Sequence, residues 1–437
     1  MSAITRRQFL RLTGGSAVAS LLSGCAAPAG APAIARGAPA KRVVVVGGGA
    51  GGASAARYLR MNDASIDVTL IEPNAEYYTC FMSNEVLGGD RRLESLRFNY
   101  EGLKKRGVKV VRDTVVAIDA TAKTVKTEGG QSFGYDRAIV SPGIDFRWEA
   151  IEGYGPQAVE TMPHAWKAGP QTALLRRQLE AMRDGGVVIM AAPPDWFRCP
   201  PGPYERASQI AHYLKRHKPK STLILLDAKD KFSKKPLFEQ GWSRLYGYGT
   251  DKAMVKWVSK SAGGTVKRVD LKSMVVNPGE ITEEKGDVVN IIPPQKAAKI
   301  AFDAGLTDDK GWCPIDVLTF ESKKQPGIHV IGDAAAAPEL PKSGYAANSE
   351  AKVAAQAVID LLAGRKLGTP SVLNTCYSMI GPDYGVSVSA VYRPHTGINQ
   401  WVGKAEVTSK DASAADLKRE FIYGHSWFRN VTNDMFG

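Results

Sequence analysis

The chain of 437 residues contains no Cys-x-x-Cys-His, so it has no attachment site of its own for a c-type haem. No run of Lys and Arg is interleaved with aromatics, which argues against a nucleic-acid partner. Past residue 40, no apolar stretch approaches the ~20 residues needed to cross a bilayer. No metal site is expected. Acids are also missing before Lys41, where four arginines (Arg6, Arg7, Arg11, Arg36) stand alone. The formal charge is +13, and most of it lies beyond that segment. Such a surplus speaks to partners rather than fold, and suits an acidic protein or an anionic substrate.

The N-terminus carries what the rest lacks. Thr5-Arg6-Arg7-Gln8-Phe9-Leu10 is a twin-arginine pattern, followed by a short apolar stretch from Leu12 to Leu22. The pattern predicts export to the periplasm in the folded state, with any cofactor already bound. Two processing routes stay open. Leu22-Ser23-Gly24-Cys25 resembles a lipobox, which would leave a lipid anchor on Cys25 and a tether from Ala26 to Ala40. Ordinary cleavage near Ala40 serves equally. Either way the fold begins near Lys41, with enough chain for two or three domains.

Arg42-Val43-Val44-Val45-Val46 is apolar and β-branched without alternation, the composition of a buried parallel strand. Gly47, Gly49 and Gly52 follow, then a helical stretch from Ala53 to Met61 and a second strand, Val68 to Ile71, ending in Glu72. In this order the glycines give a tight turn, close approach to a pyrophosphate, and close helix–strand packing. Glu72 stands where a carboxylate binds ribose hydroxyls. Tyr135 to Gly143 reads as a further strand and Gly turn. Gly327 to Ala334 reads as a strand ending in Gly332-Asp333, with the Asp333 carboxylate meeting a ribityl chain. The order resembles the glutathione-reductase-like α/β architecture, with two Rossmann-type domains and a C-terminal α+β domain. It divides the chain into a signal and linker (1–40), a discontinuous FAD domain (41–152 and 294–368), an inserted domain (153–293) and a C-terminal interface domain (369–437).

The inserted domain starts its own βα unit at Gly186 to Ala191. The loop after it holds Pro193, Pro194, Pro200, Pro201 and Pro203, with Trp196 and Phe197 between them. Prolines remove N–H donors where a pyrophosphate would need them, so NAD(P)H is not expected as the electron donor. Near the C-terminus, Val386 to Tyr392 reads as strand. The tail from Glu420 to Gly437 reads as mixed and aromatic, with no clear amphipathic moment.

Cys25 aside, four cysteines remain, and spacing alone does not choose among their three possible pairings. Their surroundings are specific. Tyr77-Tyr78-Thr79-Cys80, Phe197 to Arg206 (with Cys199), Pro341 to Tyr345, Asn374-Thr375-Cys376-Tyr377 and Ser426-Trp427 together resemble the flavoprotein subunit of flavocytochrome c sulfide dehydrogenase. That resemblance spans the whole chain beyond the signal. It implies sulfide:cytochrome c oxidoreductase activity, FAD held through a thioether at Cys80, and a redox-active Cys199–Cys376 disulfide. It also implies a separate c-type cytochrome subunit carrying the haem. Hydrosulfide would open the bridge by thiol–disulfide exchange, leaving a persulfide and a thiolate, the latter on Cys376, which reduces the flavin. A bridge between these cysteines also suits a purely structural clamp. Cys313 is read as a core cysteine.

Glu205 is a candidate acid/base, or else a helix-start carboxylate favoured by the dipole. Lys342 is a candidate for stabilising reduced flavin, or else a solvated lysine. Trp166, Trp427 and Tyr423 lie along an electron path or fill an interface. Two other functions fit the same architecture: a sulfide:quinone reductase, and a flavoprotein that reactivates a protein-bound sulfur carrier.

Overall fold

The computed structural model describes residues 40–437. The twin-arginine pattern, Cys25 and the processing sites lie outside the described residues.

Strand β1 (Arg42–Val46) buries its four valines. It is flanked on both sides by parallel strands, pairing Val43 with Val68 and with Arg137, which is why its sequence does not alternate. Gly47, at φ 93°, makes the turn into helix α1 (Ala50–Asn62), and β2 (Asp67–Ile71) follows. Helix α1 begins three residues before the predicted Ala53, because the glycine turn passes directly into helix. A Cβ on Gly52 would lie 1.8 Å from the Gly47 carbonyl oxygen and 3.4 Å from Val45. The helix can pack this closely on its own turn only without a side chain there.

The first sheet has the all-parallel order Ile328–Val330, Arg137–Val140, β1, β2, Lys109–Val111. Strands remote in sequence therefore end together, and bring Gly47, Ser141 and Gly332 to one edge. A second parallel sheet runs Val255–Val258, Thr222–Asp227, β3 (Val187–Ala192), Val288–Ile291. The proline-rich loop leads from β3 into helix α2 (Gly202–His217). The two crossings between these sheets are tied to each other, since Ile144–Phe146 pairs antiparallel with Gln295–Ala297.

Helix α3 (Gly344–Leu362) packs on α1 and leads to an antiparallel sheet built on β4 (Val372–Gly381) and β5 (Tyr384–His395). The chain then forms α4 (Ala414–Phe436), started by a capping box between Ser413 and Asp416. Its buried residues, Leu417, Gly424, Phe428, Val431, Thr432, Met435 and Phe436, follow one face at helical spacing. The tail is therefore amphipathic, which corrects the sequence reading. Gly424 and Thr432 sit in the apolar stripe while Ile422 and Tyr423 face outward, so side-chain polarity hides the period. Gly424 lets the helix lie close on β4: a Cβ there would meet the Met379 terminal methyl at 2.1 Å and Tyr377 Cβ at 3.0 Å. At the far end Phe436 stacks on Phe98 (5.4 Å), and Asp434 accepts from Tyr58 (2.7 Å) and Asn348 (3.0 Å). Helix α4 thus fastens the third sheet to the first. Among the described residues, no helix is long and apolar enough to cross a membrane.

Gly52→Ala is expected to cost on the order of 2 kcal/mol or more, because the backbone contact cannot relax by rotating a side chain. Thermal unfolding beside Gly368→Ala, where a Cβ meets nothing within 4 Å, checks this: only the first should melt several degrees lower.

Candidate functional site

At the carboxyl ends of the first sheet lies a cleft with about 1500 Å³ of empty space, lined by Gly47, Gly49, Glu72, Ser141, Gly332 and Asp333 among others. This is where parallel α/β sheets bind dinucleotides. Glu72 accepts from Gly48 N–H (2.7 Å) and from the Asn74 backbone (2.9 Å) and side-chain amide (2.7 Å), so its carboxylate is fixed at the rim. Asp333 is the informative residue. Its Oδ1 is buried without a partner, and Oδ2 lies 3.9 Å from Arg198 Nη1. Burial pushes this carboxyl's pKa up, with Arg198 and Lys342 opposing. An orphaned buried acceptor costs about 1–3 kcal/mol unless a ligand donor meets it. A hydroxyl-bearing chain between pyrophosphate and ring would do so. The N-terminus of α3, capped by Ser343, reaches the same place through Gly344. The glycine cradle, the rim carboxylate and the unpartnered Asp333 all fit FAD.

A second cavity of about 600 Å³ opens from this cleft at Cys80, Arg198, Asp333 and Gly344. Three cysteines from three distant segments line it: Cys80 after β2, Cys199 in the proline loop, and Cys376 on β4. All are thiols in this structure, as is Cys313. Cys199 sits at φ 57°, its N–H donating to Lys342 O (2.6 Å) and its carbonyl accepting from Gly202 N–H (2.7 Å). The Cys376 thiol donates to Asn374 Oδ1 (3.4 Å), which also accepts from Ser343 Oγ (2.6 Å). Burial raises the pKa of all three, that of Cys199 well above the usual thiol range.

Glu205, in the first turn of α2, lines the cavity and is buried. Its Oε1 accepts from Met379 N–H (2.9 Å) and its Oε2 from Asn84 (2.8 Å). Burial raises its pKa against the pull of these two bonds. Lys342 is half-buried, with its ammonium turned inward rather than to solvent. Its ammonium donates to the carbonyls of Asp333 (2.8 Å) and Ala335 (2.7 Å), lies 4.0 Å over the Trp312 ring, and has its pKa lowered by burial to about 8. Trp166 is buried under the Arg206 guanidinium (4.8 Å) and fills space. Trp427 walls the cavity, edge-on to Phe81 (5.5 Å), whereas Tyr423 is exposed. Cys313 is buried away from the cavity, its thiol pushed up to about 12.

Two residues were missed by sequence reasoning. Arg198 stands between cleft and cavity. Burial opposes its charge, but Cys80 and Asp333 beside it hold the guanidinium protonated. Lys234 reaches the cavity wall at Ser378 (2.8 Å) from a loop that carries no motif. Arg198 was visible inside the conspicuous Phe197–Arg206 run, though nothing in that run says which side chains turn inward.

In the second sheet, Asp227 holds the strand-end position that Glu72 holds in the first. It is fully buried and engaged by Tyr204 (2.7 Å), Lys229 (2.7 Å) and Trp257 (3.0 Å). Tyr204 in turn stacks on Phe232 at 3.5 Å. Protein side chains therefore occupy the rim where a second nucleotide would lie.

The family models match this layout piece by piece. Residues 41–173 match pyridine nucleotide-disulphide oxidoreductases, residues 172–293 the central part of the sulfide dehydrogenase [flavocytochrome c] flavoprotein chain, and residues 368–436 the flavocytochrome c sulphide dehydrogenase flavin-binding region. The sulfide dehydrogenase [flavocytochrome c] flavoprotein chain of Chlorobaculum thiosulfatiphilum is 65% identical over 46 residues, 10% of this chain and 96% of that sequence. The chain belongs to the flavocytochrome c sulfide dehydrogenase flavoprotein family. It is thus an FAD-dependent oxidoreductase of sulfide. The mitochondrial sulfide:quinone oxidoreductase of Dictyostelium discoideum is 23% identical over 75% of this chain and 72% of its own. The structure of the Aquifex aeolicus sulfide:quinone oxidoreductase shares the fold, with a TM-score of 0.67 at 18% identity over 90% of this chain and 92% of that one.

Helix α4 is held over this site by a titratable clip. His425 Nε2 lies 2.7 Å from Glu85 Oε1, and Arg91 holds the other carboxylate oxygen (2.7 Å). The bond to Glu85 raises the His425 pKa above its usual 6.5, against burial and the Arg91 charge. A raised folded value means the clip's contribution is fully present below about pH 6.5 and fades as pH rises through the folded pKa. His425→Gln should therefore melt lower than the parent at pH 6, and the two curves should converge at pH 9.

Proposed function

We propose that this chain oxidises sulfide at a Cys199–Cys376 disulfide and passes the electrons through FAD to a c-type cytochrome subunit. The observation that carries the proposal is the convergence of Cys199 and Cys376, far apart in sequence, on one small cavity that opens into the FAD cleft. Hydrosulfide attacks the Cys199 sulfur and the S–S bond breaks. Cys199 becomes a persulfide, and the electron pair of the broken bond stays on Cys376 as a thiolate. Glu205, whose burial favours the protonated form, takes up and releases the substrate's proton at its cavity-facing carboxyl. FAD, when bound, supplies a two-electron acceptor that returns electrons singly. Cys80, at the junction of cavity and cleft, is the residue to hold it covalently, and Arg198 and the α3 N-terminus supply positive potential there. Haem sits on the partner, since this chain lacks its attachment motif. The twin-arginine pattern supports assembly in the periplasm.

One observation favours a second acceptor. The similarity to sulfide:quinone oxidoreductases spans three quarters of the chain, and α4 exposes Ile422 and Tyr423. Turnover with sulfide plus cytochrome c, against sulfide plus a short-chain quinone, separates the two. Reduction of cytochrome c alone is expected.

Mass spectrometry of acid-precipitated, non-reduced protein should find flavin on the Cys80 peptide and a linked Cys199–Cys376 pair. Free flavin, or free thiols at Cys199 and Cys376 under those conditions, would remove the matching part of the proposal. Cys376→Ser should keep its flavin yet lose turnover by roughly a thousandfold or more. Glu205→Gln is expected to lower kcat/KM by about a hundredfold and to flatten the acidic limb of its pH profile.

A further inference from the structure

The steps above leave the buried charge of Lys234 without a task. Lys234 lies just before the Lys235–Tyr246 helix and is only 7% exposed. Its neighbours Lys229 and Lys235 each hold a carboxylate, Asp227 at 2.7 Å and Glu239 at 2.6 Å. Lys234 has no such ion pair among the described residues. A buried ammonium without a counter-charge is costly, and structures retain one where negative charge is to be met. The backbone adds to that cost. Lys234 stands at φ 61°, in the left-handed region that a side chain disfavours.

What the ammonium touches gives its direction. It donates to Ser378 Oγ (2.8 Å) and toward Val386 O (3.4 Å). On β4, alternate residues share a face, so Ser378 stands beside Cys376 with Asn374 beyond it. The titratable groups facing Lys234 are Cys376 from β4, Glu205 from α2, Cys199 from the proline loop and Glu420 from α4. Cys376 in turn faces Lys234 and Glu205, the hydroxyl of Ser343 and the amide of Asn374, with Tyr392 behind it on β5. Cys199 stands among more opposing charge: Cys80, Cys376 and Glu205 disfavour a negative charge there, Arg198 and Arg206 favour one, and Lys234 acts on it less than on Cys376.

We propose that Lys234 is the positioning residue that makes Cys376, rather than Cys199, the thiolate when the disulfide opens. The proposal rests on the sulfide-oxidising reading above and deepens it. In exchange chemistry the sulfur that leaves is the one better able to carry charge. Hydrosulfide adds to Cys199, the S–S bond breaks, and the released electron pair settles on Cys376 beside Lys234. Ser378 relays the placement by anchoring the ammonium to the strand that carries the thiolate. Attack is directed to Cys199, so the persulfide forms on the proline loop and the reducing thiolate on β4.

The test needs neither sulfide nor cytochrome. Reduced holoenzyme is alkylated with iodoacetamide across a pH series, and each cysteine peptide is followed by mass. Cys376 should react at lower pH than Cys199. In Lys234→Met the Cys376 midpoint should rise by at least about one unit, a tenfold slower alkylation near pH 7, while Cys199 moves less. Lys234→Arg should restore the profile. An unchanged Cys376 midpoint in a Lys234→Met holoenzyme with parental flavin spectrum and melting temperature overturns the proposal, as does an equal shift of both thiols. Should Lys234→Met not fold, Ser378→Ala removes the anchor alone, and absence of any upward shift there is equally decisive. A parent enzyme that fails to turn over sulfide would instead remove the functional reading, which the alkylation profile does not touch.

Discussion

One buried carboxylate ties together the three stretches that carry the three cavity cysteines. Glu205 lies six residues beyond Cys199 and accepts from Asn84, four residues beyond Cys80, and from the Met379 backbone, three residues beyond Cys376. Its neighbour Arg206 donates to the other end of the same Asn84 amide (3.1 Å) and to Asn290 (3.0 Å) on the second sheet. The first sheet, the second sheet and the antiparallel sheet thus meet at one polar cluster. In a low-dielectric interior such a cluster is stabilising only when every member is satisfied, so it fixes a single arrangement of the three segments. Cavity geometry follows from it. The proline loop, β4 and the stretch after β2 are thus brought together independently of any bond between their sulfurs.

The parts of this arrangement that were legible in the sequence are those where local chemistry and tertiary environment agree. Four consecutive valines have only one comfortable setting, between two parallel strands. Gly47 and Gly52 each meet a constraint that a side chain would violate, and Gly49 lines the cleft beside them. The Glu72 position follows from the length of a βαβ unit. Helix α4 was not legible, because its buried stripe includes glycine and threonine. Gly424 is there for contact with Met379, which is a property of β4 rather than of the helix. Lys234 was invisible for a similar reason. A lysine in a charged loop reads as solvated, and only the fold carries Ser378 to it. The same holds for Lys342, whose ammonium is turned inward by carbonyls that follow Gly332.

The second sheet has the layout of the first with its rim filled by side chains. It keeps the parallel strands, the crossover helix and even the acid at the strand end. Asp227, however, is matched to Tyr204, Lys229 and Trp257 rather than to a ribose. Those partners, with Phe232 stacked beneath Tyr204, turn a polar rim into packed interior. The loop that would have cradled a phosphate carries prolines instead, and ends in Cys199. The loop thus carries a sulfur, Cys199, to the cavity beside the flavin cleft. Rigidity is what such a loop needs: proline limits the backbone, and the Cys199 N–H and C=O are both bonded, to Lys342 and Gly202.

The cavity also shows an unusual balance of charge. Arg198, Arg206, Lys234 and Lys342 are all at or beside it, against Glu205 and Asp333, and burial makes the carboxyls harder to ionise. Packing alone does not favour this, since each buried cation loses hydration that the surrounding carbonyls and amides only partly replace. An anionic substrate changes the sum. In the mechanism proposed, hydrosulfide and the thiolate it releases would bring negative charge to these cations. The donors are already in place, held by Asn84, Ser378 and the carbonyls of Asp333 and Ala335, so little reorganisation is needed when the charge arrives. The charge that packing alone disfavours here is thereby the complement of the chemistry proposed for the cavity.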